Sequence, residues 1–125
     1  VATAKRGRNR RQVIGQRGED VAVEYLSGAG WSVLDRNWRC RYGEIDVIAV
    51  DGTDLVIVEV KTRTGSLYAD PAEAVTYEKY RRLRRLAGLW LADQERGWPV
   101  IRFDVIAVQI DSAGTPGIRH LRGVF

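Results

Sequence analysis

Between Val13 and Ala29 the apolar residues Ile14, Val21, Ala22, Tyr25, Leu26 and Ala29 recur at the three-and-four spacing of a helix with one buried face. Gly28 and Gly30 follow as stop signals. Trp31 to Trp38 reads as a strand, residues 43–50 as a second and residues 55–63 as a third. Between the last two, Asp51-Gly52-Thr53-Asp54 is a hairpin turn. A second amphipathic run opens at Pro71, a residue favoured in the first turn of a helix, and continues to about Gln94. Its apolar stripe is Val75, Leu83, Leu86, Ala87 and Trp90, and Gly97 and Pro99 close it. Val100 to Ile110 is a fourth strand, and a short fifth falls within residues 118–125. Residues 1–11 have no core-forming pattern and read as a mobile basic arm, leaving residues 12–125 as one domain.

The predicted order is helix, three strands, helix, strand, strand. A strand–helix–strand step of this length favours a parallel crossover, so the sheet is expected to be mixed and flanked by helices, an α/β fold. A chain of 125 residues suits one continuous core. No apolar run approaches the roughly 20 residues of a membrane span, and the basic N-terminus lacks the apolar stretch of a signal peptide. The expectation is a soluble cytoplasmic protein with no membrane partner. With one cysteine, Cys40, and one histidine, His120, an internal disulfide, a zinc finger and a histidine-rich metal site are all excluded. Cys40 reads as a half-buried small residue after a strand.

The formal charge is +4, but its distribution says more than its size. Lys5, Arg6, Arg8, Arg10 and Arg11 crowd the N-terminus, and Arg81, Arg82, Arg84 and Arg85 crowd one later segment. Clusters of this kind are the electrostatic footprint of a polyanion partner, the alternative for the N-terminal cluster being solvated charge that only aids solubility.

The candidate chemistry lies in the hairpin. Side chains alternate faces along a strand, so Glu44, Asp46, Ile48 and Val50 are expected on one face, and Leu55, Ile57, Glu59, Lys61 and Arg63 on one face of the next strand. A turn closed at Gly52-Thr53 sets Val50 opposite Leu55, Asp46 opposite Glu59 and Glu44 opposite Lys61. A turn closed at Asp51-Gly52 shifts the register by two and keeps the polar residues together. Like charges facing each other in a sheet destabilise it, and burying unpaired carboxylates costs more. A divalent cation explains such a cluster: Mg²⁺ (or Mn²⁺) binds hard oxygen ligands and needs only one or two carboxylates. Asp46 and Glu59 are the expected ligands, with the Val60 carbonyl as a further one. Lys61 is placed to position a water or neutralise charge on a phosphoryl group. Glu19, early in the first helix and preceded by Gly15-Gln16-Arg17-Gly18, is a fourth candidate. The alternatives are that Glu19 only complements the helix dipole and that Lys61 and Arg63 only pair with the acids on a solvent-facing sheet.

Three segments, Gly15-Gln-Arg-Gly-Glu19, Gly43-Glu-Ile-Asp46-Val-Ile-Ala and Val58-Glu59-Val-Lys61, resemble those of the bacterial UPF0102 or YraN-like proteins. That family is similar to archaeal Holliday junction resolvases in the PD-(D/E)xK nuclease superfamily. The resemblance spans about residues 13–110 and includes Ala74-Val75, Lys79 and Arg102-Phe-Asp-Val105. It implies a restriction-endonuclease-like core in which Asp46, Glu59 and Lys61 are the catalytic triad and Glu19 the first-helix glutamate. Ile45 stands where the superfamily has its nominal proline. Glu44 matches the family's own motif, and Lys79 is expected on the inner stripe of the second helix, either snorkelling or reaching the site. The expected function is a Mg²⁺-dependent endonuclease acting on DNA, including branched or structured DNA. The alternative is a nucleic-acid-binding module without catalysis. A homodimer is a further expectation, with Trp90, Trp98 and Phe125 as its apolar patch.

Overall fold

The computed structural model describes residues 9–64, 75–110 and 115–124. Seven elements follow in the expected order: α1 (Arg10–Gly28), β1 (Ser32–Cys40), β2 (Gly43–Asp51), β3 (Asp54–Thr64), α2 (Tyr77–Ala92), β4 (Val100–Ile110) and β5 (Gly117–Leu121). The strands form one five-stranded sheet in the order β1-β2-β3-β4-β5. Only the β3–β4 step is parallel, in register from Asp54↔Val100 to Thr64↔Ile110. The other three pairings are antiparallel. The fold is therefore mixed α/β, with one helix against each face of the sheet.

Two apolar layers hold it together. Ala22 and Leu26 of α1 and Trp31 pack on Val47, Ala49, Val56, Val58, Ile106 and Val108. Leu83, Leu86, Ala87 and Trp90 of α2 pack on Ile45, Ile48, Leu55, Ile57 and Phe103. The two layers use opposite parities of β3, as a strand covered on both faces must.

The structure moves both helix starts. Asn9 caps α1 by accepting from the Gln12 N–H at 2.9 Å, while the Gln12 side chain accepts from the Asn9 N–H at 3.0 Å. This reciprocal box satisfies two otherwise unpaired amides, so Arg10 and Arg11 belong to the helix and not to an arm. Lys5, Arg6 and Arg8 lie outside the described residues. At the second helix, Thr76 is the N-cap and accepts from the Lys79 N–H at 3.2 Å. Val75 thus precedes the helix and is not part of its stripe. The expected start at Pro71 lies outside the described residues. Trp90 is 4% exposed and stacks against Trp98, ring centroids 5.7 Å apart, so it belongs to the core and not to a surface patch. Phe125 lies outside the described residues. Among the described residues, no helix is long and apolar enough to cross a membrane.

Candidate active site

The β2–β3 hairpin closes through Gly52-Thr53, with Gly52 at φ 63° and Asp51 paired to Asp54. Val50 faces Leu55, and pairing runs to Val47↔Val58, where it stops. Beyond that point β2 pairs only with β1, through Cys40↔Gly43, and β3 pairs only with β4. The sheet forks here, and the polar residues of both strands begin at the fork.

Asp46 sits in its mouth. Its Oδ2 accepts the Val60 N–H at 2.8 Å, supplying the oxygen that a neighbouring backbone would give in an unbroken ladder. The expected direct backbone opposition of Asp46 and Glu59, and of Glu44 and Lys61, is therefore replaced by a side-chain bridge.

The face alternation of β2 also breaks at this residue. Arg36 is paired with Val47 and points to α1, where its Nη2 meets Asp20 Oδ1 at 2.6 Å. The next pair, Trp38↔Ile45, keeps to the same parity yet packs in the α2 layer. The ribbon turns over between these pairs, at Asn37 and Asp46. Asn37 has φ 50°, a left-handed conformation that asparagine tolerates better than most residues. Glu44, Asp46, Ile48 and Val50 consequently do not share one face, as strict alternation requires. Instead Asp46 lies in the gap where the strands part, beside Val60 and facing Glu19, Glu59 and Glu44.

The helices complete the site from opposite sides. From α1 comes Glu19, placed by Gly18. A Cβ at Gly18 would collide with Thr62 of β3, meeting its Oγ1 and lying 2.8 Å from both Cβ and Cγ2. Only a glycine lets the helix approach this closely. From α2 come Lys79, whose Nζ is 3.8 Å from Glu59 Oε2, and Arg82, whose Nη2 is 4.0 Å from Glu59 Oε1. A cleft of about 710 Å³ is lined by Glu19, Glu44, Asp46, Glu59, Val60 and Lys61, with Gly15 and Arg11 at its rim. All the acids singled out in the sequence therefore meet in one cavity. Lys79 reaches the same group through Glu59 and Lys61.

The electrostatics are those of a crowded acidic pocket. Burial is the main force raising the Asp46 carboxyl from its ordinary 3.8 to about 7; Glu19, Glu59 and Glu44 add repulsion, against the Val60 hydrogen bond. Glu19 is also raised, chiefly by burial, with Asn37 bonding it and Glu44 repelling it. Lys79 is lowered by burial and by its contact with Lys61, against the attraction of Glu59. The Oε2 atoms of Glu19 and Glu59 are buried and have no hydrogen-bond partner among the described residues. Unsatisfied buried oxygens of this kind are uncommon in folded proteins and suit a cation or ordered water. No group of three His, Cys, Asp or Glu among the described residues is gathered tightly enough to enclose an ion. A Mg²⁺ site held by one or two carboxylates and otherwise hydrated does not need such a cage.

The basic residues divide. Arg82 reaches the pocket, as above. Arg81 and Arg85 line a second cleft of about 390 Å³ with Tyr42 of the β1–β2 turn. Arg84 is exposed on α2. Cys40 ends β1 half-buried, as expected.

One cluster went unread in the sequence. Asp104 is 0% exposed, and its carboxylate accepts from Arg102 Nε at 3.0 Å and from the Gly123 N–H at 2.9 Å. His120 Nε2 lies 2.7 Å from Asp104 Oδ2, and His120 Nδ1 lies 3.0 Å from the Tyr25 hydroxyl. Arg102 further reaches Asp51 and Asp54, each at 3.1 Å. The signal was present as Arg102 and Asp104, two charges at strand spacing within an apolar run. This network ties β5 and α1 to the hairpin turn, away from the acidic cleft.

Fold and site together define a small mixed α/β protein with carboxylates and lysines converging on a fork in its sheet. Residues 18–108 match uncharacterised protein family UPF0102, and the chain belongs to that family. It is 59% identical over 116 residues to a UPF0102 protein of Mycobacterium marinum, covering 91% of this chain and 95% of the relative. A UPF0102 protein of Mycolicibacterium vanbaalenii is 53% identical over 118 residues, covering 94% and 98%. One from Mycobacterium tuberculosis is 56% identical over 116 residues, covering 89% and 91%.

Proposed function

We propose that the protein is a Mg²⁺- or Mn²⁺-dependent endonuclease that hydrolyses phosphodiester bonds in DNA, built on a restriction-endonuclease-like core. The observation that carries this reading is the Asp46 carboxyl, raised to about 7 by burial among other acids, beside the buried Oε2 atoms of Glu19 and Glu59, neither of which has a hydrogen-bond partner among the described residues. A fold keeps repelling acids under cover where something positive is to be bound.

Asp46 and Glu59 hold the ion, with the Val60 carbonyl as a further donor. Bound Mg²⁺ supplies an activated water and neutralises charge on a phosphoryl oxygen. Glu19 orients solvent from the α1 side of the cleft. Lys61 lines the same cleft as Glu59 and would stabilise negative charge developing on the phosphoryl group. Lys79 and Arg82 hold Glu59 in place and attract the phosphate backbone, and Glu44 supports the charge balance of the cleft. Arg81, Arg84, Arg85, Arg10 and Arg11, together with Lys5, Arg6 and Arg8, supply sequence-independent phosphate contacts. Symmetric cutting of a branched DNA requires a two-fold dimer, so a homodimer accompanies that substrate.

A second reading, a nucleic-acid-binding module without catalysis, is favoured by one observation: no three-donor cage is formed among the described residues. One experiment separates the two. Linear, nicked, flapped and four-way DNAs are incubated with the protein and Mn²⁺ or chelator. The nuclease reading expects metal-dependent cleavage of at least one substrate and its loss in Asp46→Asn. Tight binding of the same DNAs with no cleavage of any supports the module.

A further inference from the structure

Next to the acidic cleft lies a second one, whose arginines the proposed function uses only for phosphate contact and, at Arg82, for holding Glu59. Its walls are the β1–β2 turn and the outer side of α2, and Tyr42, Glu78, Arg81, Arg82, Arg85 and Leu86 line it. Three of the six are arginines and one is an acid. Tyr42 is 41% exposed, a large aromatic left at the surface of a turn. The Arg85 guanidinium lies over its ring, 3.9 Å from the centroid, and the Arg41 guanidinium lies 5.1 Å away.

Packing beneath the turn holds this arrangement. Gly43 has φ 141°, and a Cβ there would sit 3.4 Å from Leu86 Cδ1 and 3.9 Å from Arg82 Cδ. The turn is thus pressed onto α2, and the Tyr42 ring stands beside the arginines. Arg82 links the two clefts: it lines this one, and its Nη2 lies 4.0 Å from Glu59 Oε1 of the acidic one.

We infer that this cleft is a subsite for an unpaired nucleotide, its base stacked on the Tyr42–Arg85 platform and its phosphate held by Arg81 and Arg82. A phosphate-only patch needs cations but no aromatic ring. A stacked phenol and guanidinium offer flat faces to a base, and every base has a face to offer in return. A base within a duplex has both faces occupied, so the subsite selects strands that are single, frayed or splayed. Its position beside the scissile phosphate rests on the nuclease reading; the stacking does not.

The test is a binding measurement in chelator, which no failure of catalysis can affect. A labelled twelve-residue oligothymidylate is compared with an abasic strand of the same length and charge, by fluorescence anisotropy. The wild type is expected to prefer the oligothymidylate by about tenfold, the size of one or more stacking contacts. Tyr42→Ala removes that preference by weakening only the base-bearing strand, whereas Tyr42→Trp keeps it. Arg81→Gln with Arg82→Gln weakens both strands alike. Urea unfolding of each variant confirms that it is folded. Equal affinities in the wild type overturn the inference, as does a preference that survives Tyr42→Ala or a Tyr42→Ala loss shared by both strands. If the Tyr42-dependent preference holds and no DNA is cut with Mn²⁺, the nuclease reading fails and the subsite stands. If DNA is cut and the preference is missing, the subsite fails alone.

Discussion

The Asp46 carboxylate accepts the Val60 N–H at 2.8 Å, just past Val47↔Val58, the last backbone pair of β2 and β3. That bond favours the ionised carboxylate, yet burial and the neighbouring Glu19, Glu59 and Glu44 raise its pKa to about 7. In the folded chain Asp46 therefore keeps its proton between its ordinary 3.8 and about 7, where the unfolded chain has lost it. A group raised in this way favours the fold at low pH, and its contribution falls as pH rises through that window. Asp46→Asn cannot ionise. Urea unfolding in the absence of divalent metal should lose stability from pH 5 to pH 8 by on the order of 2 kcal/mol less in the variant than in the wild type. Equal slopes would mean that Asp46 is ionised throughout.

Metal should reverse the same penalty. Ligand that binds only the folded chain stabilises it by about 2.7 kcal/mol at a hundred times its Kd. Mn²⁺ at pH 8 is expected to raise the Tm of the wild type and of Lys61→Ala, and to leave Asp46→Asn/Glu59→Gln unmoved. Cleavage of the best DNA substrate should be lost in the double variant and in Lys61→Ala alike. A Tm response that survives removal of both carboxylates would place the ion elsewhere.

The α1–β3 approach gives a test of how Glu19 is positioned. Gly18→Ala meets Thr62 directly, and overpacking of this kind costs about 1–3 kcal/mol, more than the roughly 1 kcal/mol alanine gains in helix propensity. Thr62→Ala in the same chain removes the Oγ1 and Cγ2 contacts and should recover part of the loss, a coupling that a double-mutant cycle by urea unfolding measures. Additive effects would show that the helix is not seated on Thr62.

The buried Asp104 carries a larger stake in stability. Burial acts to raise its carboxyl, but hydrogen bonds from His120, Arg102 and the Gly123 N–H overcome this and hold it below the usual range. Asp104→Leu leaves Arg102 and His120 without their shared acceptor and should cost about 3–5 kcal/mol. Because the site lies away from the acidic cleft, any variant still folded at low temperature should keep its Mn²⁺ response, read as a Tm shift.

Affinity for DNA should fall steeply with salt. Each phosphate contact contributes about 0.7 to the slope of log K against log salt on a single strand. Replacing Arg81, Arg82, Arg84 and Arg85 by glutamine should reduce that slope by more than 1 and weaken unrelated sequences equally. An unchanged slope would remove α2 from the interface.

Much of this protein was legible before folding. Apolar periodicity gave the order of the elements, and Val100–Ile110 coincides with β4 because a largely apolar run, broken only by Arg102, Asp104 and Gln109, suits a strand covered on both faces. The hairpin turn was legible too, and of the two closures open in the sequence the structure takes Gly52-Thr53, with Val50 facing Leu55. Asp46, Glu59 and Lys61 stood out as charges inside otherwise apolar strands, and Gly18 before Glu19 announced a close helix approach. The helix starts were misread because Asn9 and Thr76 set them by capping, and a cap depends on which neighbouring amides are left unpaired.

The sequence by itself determined which residues carry charge into the interior and which elements bear them, since both follow from local pattern. Only the tertiary structure decided how they meet. Alternation places Asp46 on a fixed face, but the ribbon turns over at Asn37 and the β2–β3 ladder ends at Val47↔Val58, so Asp46 lies in the fork between both layers. The Asp104–His120–Tyr25 chain joins residues up to 95 positions apart, and Tyr42 of the β1–β2 turn meets Arg85 of α2 across the fold. Where strands part, side chains replace backbone as hydrogen-bond partners, and that exchange is set by the neighbours the fold provides.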